Sequence, residues 1–147
     1  MNVRVIIPLL ILLGSCGQRM SQEEKNINQF VKAASHTMTI ADSVSCDAIR
    51  SSIPTVNGRE RYLYVFRADC SSCILQAFRC YNACKYVFPD KEMLFLSMVN
   101  DTDIFSYYYE KQYKEPPVIL KPISGLQYKE GLYMIQRDGQ IMYYSWK

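Results

Sequence analysis

Chemistry in this chain has to come from a short list of side chains, and six of them are cysteines. Cys70 and Cys73 stand two residues apart in the stretch FRADCSSC, Phe66 to Cys73. Such a pair serves as a redox disulfide, as half of a metal site, or as two small core residues. Cys80 and Cys84 follow at helical spacing, so that four thiols lie near one stripe if the segment is a helix. One straight helix would spread those sulfurs over about 20 Å, too far for a single tetrahedral zinc with sulfurs at roughly 2.3 Å. A metal site on this helix alone does not fit, and a pair of the four would need ligands from elsewhere.

The remaining candidates are weaker. His36 is the only histidine, has no partner at ligand or base spacing, and reads as a surface or packing residue. Tyr107, Tyr108, Tyr109 and Tyr113 could bind a ligand or simply pack a helix. The chain has no G-x-S-x-G, Gly-rich phosphate loop or H-E-x-x-H, so the usual hydrolase and nucleotide-binding signatures are missing.

Elements that could position Cys70 and Cys73 are legible on both sides of the pair. Tyr62 to Phe66, YLYVF, is a short apolar β-favouring run and predicts a buried strand. From Ser71 to Phe88 the period changes to that of a helix, with Cys73, Ile74, Ala77, Cys80, Tyr81, Cys84, Val87 and Phe88 on one broad face. Ser72, Gln76, Arg79 and Asn82 fall on the other, and Pro89 stops the helix. Met93 to Val99 predicts a second buried strand, and Asp101 to Tyr113 a helix with Asp101 as N-cap, broken by Pro116 and Pro117. Leu132 to Trp146 is two β-rich runs around Asp138-Gly139, a strong hairpin signal. The order strand, helix, strand, helix, hairpin implies an α/β fold: a parallel pair joined by a crossover helix, with antiparallel strands added to the same mixed sheet. Upstream, His36 to Ile40 and Ser45 to Ile53 give no decisive pattern, and Pro54 with Asn57-Gly58 punctuates the chain.

The first residues set the compartment. Arg4 precedes the apolar segment Val5 to Leu13, about nine residues and too short for a bilayer core that takes roughly twenty helical residues. The segment closes on Leu13-Gly14-Ser15-Cys16, which resembles the bacterial lipobox. That resemblance implies a signal peptide over residues 1–15, a lipid attached to Cys16, and a polar tether over 16–28 that becomes helical through Ile27, Phe30 and Val31. Two or more acyl chains anchor a protein stably without a spanning helix. The expected location is the cell envelope, outside the cytoplasm. No Asp follows Cys16 in Gly17-Gln18-Arg19, which favours the outer membrane, facing the periplasm, where the source has two membranes. Residues 29–147 are then enough for one domain with a real core.

Net charge is +3 with 21% charged residues, Lys and Arg being scattered among acids, so nothing resembles a nucleic-acid footprint. With Cys16 lipidated, Cys46, Cys70, Cys73, Cys80 and Cys84 remain, an odd number in an oxidising compartment where pairing is the default. One must stay free or pair outside the chain. For Cys80 and Cys84, mid-face on the expected helix, the plain reading is as small buried hydrophobes; a bridge from one of them to Cys46 is the alternative.

A buried strand ending in Phe, a short loop, C-x-x-C opening a helix, then strand, helix and an Asp-Gly hairpin resembles the thioredoxin fold. More narrowly, Phe66-Arg67-Ala68-Asp69-Cys70-Ser71-Ser72-Cys73 is similar to the Phe-x-x-Asp-Cys-x-x-Cys phrase of membrane-anchored thioredoxin-like proteins of bacterial envelopes, and the likeness spans Arg61 to Lys147. It implies thiol-disulfide exchange with thiol- or disulfide-bearing partner proteins, Cys70 as the exposed attacking thiol, Cys73 as the buried resolving one, and no organic cofactor. The placement makes physical sense. A cysteine at the first turn of a helix meets unpaired N–H groups and the positive dipole end, which favour a thiolate. Three residues on, the second Cα lies roughly 5 Å away, within reach of a disulfide. The chain departs from the family at three points. Asp69, whose charge opposes the dipole and is offset in part by Arg67, stands where many members have Trp; Ser71 and Ser72 replace Pro or His; and Tyr128-Lys129-Glu130-Gly131-Leu132 lacks the cis-proline that members place before the hairpin. If exchange fails, the alternative is a binding or structural lipoprotein of the same fold, with the disulfide stapling a helix start.

Overall fold

Strand β2, Arg61–Phe66, has five consecutive buried residues because both of its faces are covered. The chain is described here from a computed structural model, which places residues 38–53 and 58–145 together with Lys25 and Gln29. The signal segment, Cys16, the tether apart from Lys25, His36, Pro54, Asn57 and Trp146 lie outside the described residues. Along β2, Tyr62, Tyr64 and Phe66 point into one apolar cluster while Leu63 and Val65 point into another. That is the two-residue period of a strand, hidden in the sequence because both sets are apolar.

Nine described elements follow in the order β1 Thr39–Ile40, α1 Ser43–Ser52, β2, α2 Ser71–Val87, β3 Glu92–Ser97, α3 Asp103–Tyr113, β4 Ile119–Leu120, β5 Gly131–Ile135 and β6 Ile141–Tyr144. The fold is α/β: the strands form one mixed, open six-stranded sheet ordered β1-β6-β5-β2-β3-β4. β2 runs parallel to β3, and β3 parallel to β4. On the other side β5 pairs antiparallel with β2, β6 with β5, and β1 with β6.

Helices α2 and α3 share one face. Ile74, Ala77, Cys80, Tyr81 and Cys84 of α2 and Phe105 and Tyr109 of α3 pack with Tyr62, Tyr64, Phe66, Met93 and Phe95. The aromatic rings interlock: Phe66 meets Phe105 edge-on with centroids 4.8 Å apart, and Tyr81 meets Tyr113 at 4.6 Å. Helix α1 lies against the opposite face, where Ile49 packs with Leu63, Val65, Leu94, Leu96, Tyr133 and Ile141. Its start is fixed by Asp42, whose Oδ1 accepts from Ser45 N–H at 2.8 Å while Ser45 Oγ donates to Oδ2 at 2.9 Å. These bonds hold the Asp42 carboxyl below its ordinary pKa.

Three sequence expectations are corrected in detail. β3 ends at Ser97 rather than Val99, because Ser97 Oγ donates to Val99 O at 2.6 Å and turns the chain out of the ladder. Helix α3 begins at Asp103; Asp101 accepts from Asp103 N–H at 3.2 Å but is not the N-cap, which is Thr102. Asn82, expected on the outer face of α2, is half-buried and accepts from the Tyr113 hydroxyl at 2.6 Å, because α3 packs against that flank. The hairpin turns at Asp138-Gly139 as expected, and Arg50 of α1 donates to Gly139 O at 3.2 Å, tying the turn to the helix.

Candidate functional site

β2 delivers the chain to the carboxyl end of the parallel strands, the side on which open α/β sheets hold their ligands. Met98 N–H bonds Phe66 O at 2.8 Å and keeps the end of β3 beside it. Ala68 is buried and anchors the short loop, leaving Arg67 and Asp69 exposed. Cys70 is the N-cap of α2, with extended backbone, and its carbonyl takes the first helical bond from Ile74 N–H at 2.9 Å.

Cys70 and Cys73 are joined as a disulfide, with Cα atoms 5.1 Å apart. Two donors converge on Cys70 Sγ: Cys73 N–H at 3.3 Å and the Ser72 hydroxyl at 3.2 Å. In the bonded pair Cys70 has no hydrogen to give, so the hydroxyl is the donor. On reduction the same two donors would face the Cys70 sulfur, where a helix N-terminus favours the charged form. Ser72 is thus a partner that the sequence reading left on the outer face. Burial differs from what the resemblance implies, for both cysteines are half-buried rather than one exposed and one enclosed.

Asp69 does not confront Cys70 as an unpaired charge. Arg67 Nε and Nη2 grip its two carboxylate oxygens at 3.1 and 2.8 Å. The guanidinium lowers the Asp69 pKa, and the carboxylate raises that of Arg67. Both shifts favour the ionised forms, so Arg67 places a positive charge against the Asp69 carboxylate beside the site.

The other thiols are kept apart. Cys46, on α1, is half-buried and its thiol donates to Ala41 O at 3.4 Å on the α1 side of the sheet. Cys80 and Cys84 are free and buried on the α2 side. With the sheet between them, neither reaches Cys46, and the alternative bridge is ruled out in this fold. Burial, then the adjacent Cys84 thiol, pushes the Cys80 thiol well above the ordinary value, so it keeps its proton. Among the described residues no three His, Cys, Asp or Glu side chains come together to hold a metal ion. The tyrosine run divides: Tyr109 is core, whereas Tyr107 and Tyr108 face solvent.

The residues standing where the resemblance implies a cis-proline are Glu130 and Gly131, and no cis peptide bond occurs among the described residues. Gly131 lies opposite Val65, so the segment before it runs alongside the strand end that leads to Cys70. Its φ is 143°, and a Cβ there would come within 2.6 Å of Tyr143 Cε2 and 2.7 Å of Tyr144 O. A shallow groove lined by Met98, Asn100, Pro122, Leu126 and Tyr128 opens from the loop between β4 and β5. A second, lined by Arg59, Arg61, Lys91, Glu92 and Arg137, lies where β2 and β3 begin, away from the disulfide.

No protein-family model, curated protein or solved structure matches the chain.

Proposed function

We propose that this chain is a lipid-anchored, thioredoxin-like protein that exchanges thiols and disulfides in the bacterial cell envelope through Cys70 and Cys73. The observation that supports it most is the disulfide at the N-cap of α2, half-exposed, with Cys73 N–H and the Ser72 hydroxyl aimed at Cys70 Sγ. The order of elements from β2 to β6 agrees with the thioredoxin-like reading.

In the reaction the Cys70 thiolate attacks one sulfur of a partner's disulfide, forming a mixed disulfide and releasing the partner's first thiolate. The Cys73 thiolate then attacks Cys70 Sγ, closing the Cys70–Cys73 bond and releasing the second. Two electrons pass from this chain to the partner, and the two departing thiolates take up the protons lost by the pair. The reverse sequence oxidises a partner dithiol. The dithiol is itself the redox group, so no organic cofactor enters.

The envelope location rests on Leu13-Gly14-Ser15-Cys16, and the membrane is the partner of the lipidated Cys16. Among the described residues no helix is long and apolar enough to cross a membrane. The second reading, a binding or structural lipoprotein whose disulfide staples a helix start, is favoured by Glu130-Gly131 in place of the expected proline.

Redox titration in glutathione buffers separates the two. Under the first reading the pair cycles between disulfide and dithiol within the span of known oxidoreductases, above roughly −300 mV, and Cys70→Ser abolishes exchange with a protein disulfide. A pair that stays oxidised below that potential supports the staple.

A further inference from the structure

The segment that leads into β5 is held by two tyrosines. Tyr133 and Tyr143 are direct cross-strand partners on β5 and β6, on the α1 side of the sheet, with ring centroids 5.0 Å apart. Their hydroxyls reach back to successive carbonyls of the segment that precedes β5: Tyr133 donates to Lys129 O at 2.8 Å, and Tyr143 to Glu130 O at 2.6 Å. The Lys129 ammonium in turn lies 4.4 Å from the centroid of the Tyr143 ring. The same ring fills the space that a side chain at position 131 would need. Tyr133 is fully buried, and burial pushes its hydroxyl up to about 12, so it keeps its proton and donates through the neutral range.

These contacts immobilise two successive residues, Lys129 and Glu130, which have no regular ladder of their own before Gly131. By register, Gly131 sits opposite Val65, which carries Lys129 and Glu130 past Phe66 towards Arg67 at the carboxyl rim. Charge coupling between Glu130 and Arg67 agrees with that placement. We propose that Tyr133 and Tyr143 are positioning residues: their hydroxyls clasp Lys129 and Glu130 so that this backbone forms a fixed wall for the Cys70–Cys73 site against which a bulky disulfide partner must settle. The clasp rests on the exchange reading given above and adds to it which residues set the approach to the sulfurs.

Kinetics with two probes, on the full-length chain reduced and held in mild detergent, test this. One probe is bis(2-hydroxyethyl) disulfide, small enough to reach Cys70 without touching the wall, and the other is a disulfide-bonded peptide. For Tyr143→Phe and Tyr133→Phe, which keep the rings, the rate constant with the peptide disulfide falls about fivefold, the size of one neutral hydrogen bond. With the small disulfide it stays within about twofold. Tyr113→Phe, which loses a hydroxyl bond to Asn82 between α2 and α3, is the control for stability loss alone and leaves both rates unchanged. Equal slowing with both probes, or a rate pattern like that of Tyr113→Phe, overturns the clasp while exchange itself survives. A wild-type chain that reacts with neither probe overturns the exchange reading, and the clasp with it.

Discussion

Gly131→Ala tests the geometry of the rim most directly. The backbone at 131 has φ 143°, which L side chains rarely adopt. An added methyl also meets Tyr143 Cε2 at 2.6 Å and the Tyr144 carbonyl at 2.7 Å. The ring could swing, at the cost of its bond to Glu130 O; the carbonyl is fixed in the β5–β6 ladder and cannot. Backbone strain costs about 1–3 kcal/mol and forced overpacking a similar amount, so the total is about 4 kcal/mol. For a domain of about 110 residues that lowers the thermal midpoint by about 15–20 °C. Gly125→Ala is the control. Its φ is 85° and a Cβ there meets nothing within 4 Å, so only strain remains, about 1 kcal/mol. Urea unfolding of the oxidised chain followed by circular dichroism measures both. Equal losses at the two positions would show that strand β6 does not press on residue 131 and would refute the packing argument.

Four further outcomes follow from the site and the core. Cys73→Ser accumulates a stable mixed disulfide at Cys70 when mixed with a disulfide-bonded protein, visible by non-reducing electrophoresis, because the resolving thiol is gone. Arg67→Ala leaves the Asp69 carboxylate unpaired beside Cys70 and slows alkylation of the reduced pair near neutral pH; adding Asp69→Asn restores the rate, as a stopped-flow iodoacetamide series would register. Cys80 and Cys84 stay unreactive towards Ellman's reagent in the native reduced chain and react only in denaturant, because both are buried and Cys80 holds its proton. Asp42 binds its proton less readily folded than unfolded, so its contribution is complete above the unfolded value of 3.8 and is lost as pH falls through the lower folded value; Asp42→Ala removes this acid-side dependence in melting curves, whereas Asp42→Asn retains part of the cap at neutral pH.

The long elements were legible because their patterns are local. YLYVF, the helical stripe from Cys73 to Cys84, MLFLS and the Asp138-Gly139 turn each carry a period or a turn signal within a few residues. The place of the Cys70–Cys73 pair was legible for the same reason, since a strand end and a helix start flank it directly. What stayed hidden is set by tertiary pairing. β1 and β4 are two residues each and exist only because β6 and β3 offer them an edge. Helix α1 is masked by its serines, although Asp42 three residues before Ser45 was a usable cap signal. The tyrosine clasp depends on the register that sets Tyr133 against Tyr143, and that register was not readable until the hairpin was built. The sequence places Arg67 near enough to offset the Asp69 charge in part, but not the bidentate geometry by which it does so.

The sheet, finally, sorts the thiols. Cys46 sits in front of it, Cys80 and Cys84 behind it under the aromatic cluster, and the Cys70–Cys73 pair alone stands at its rim. Among the described residues an oxidant meeting the folded chain is therefore offered one pair close enough to join. An unfolded chain has no such partition, and its cysteines can pair in any combination. Tertiary structure, rather than the order of cysteines in the sequence, thus decides which of the described thiols can pair.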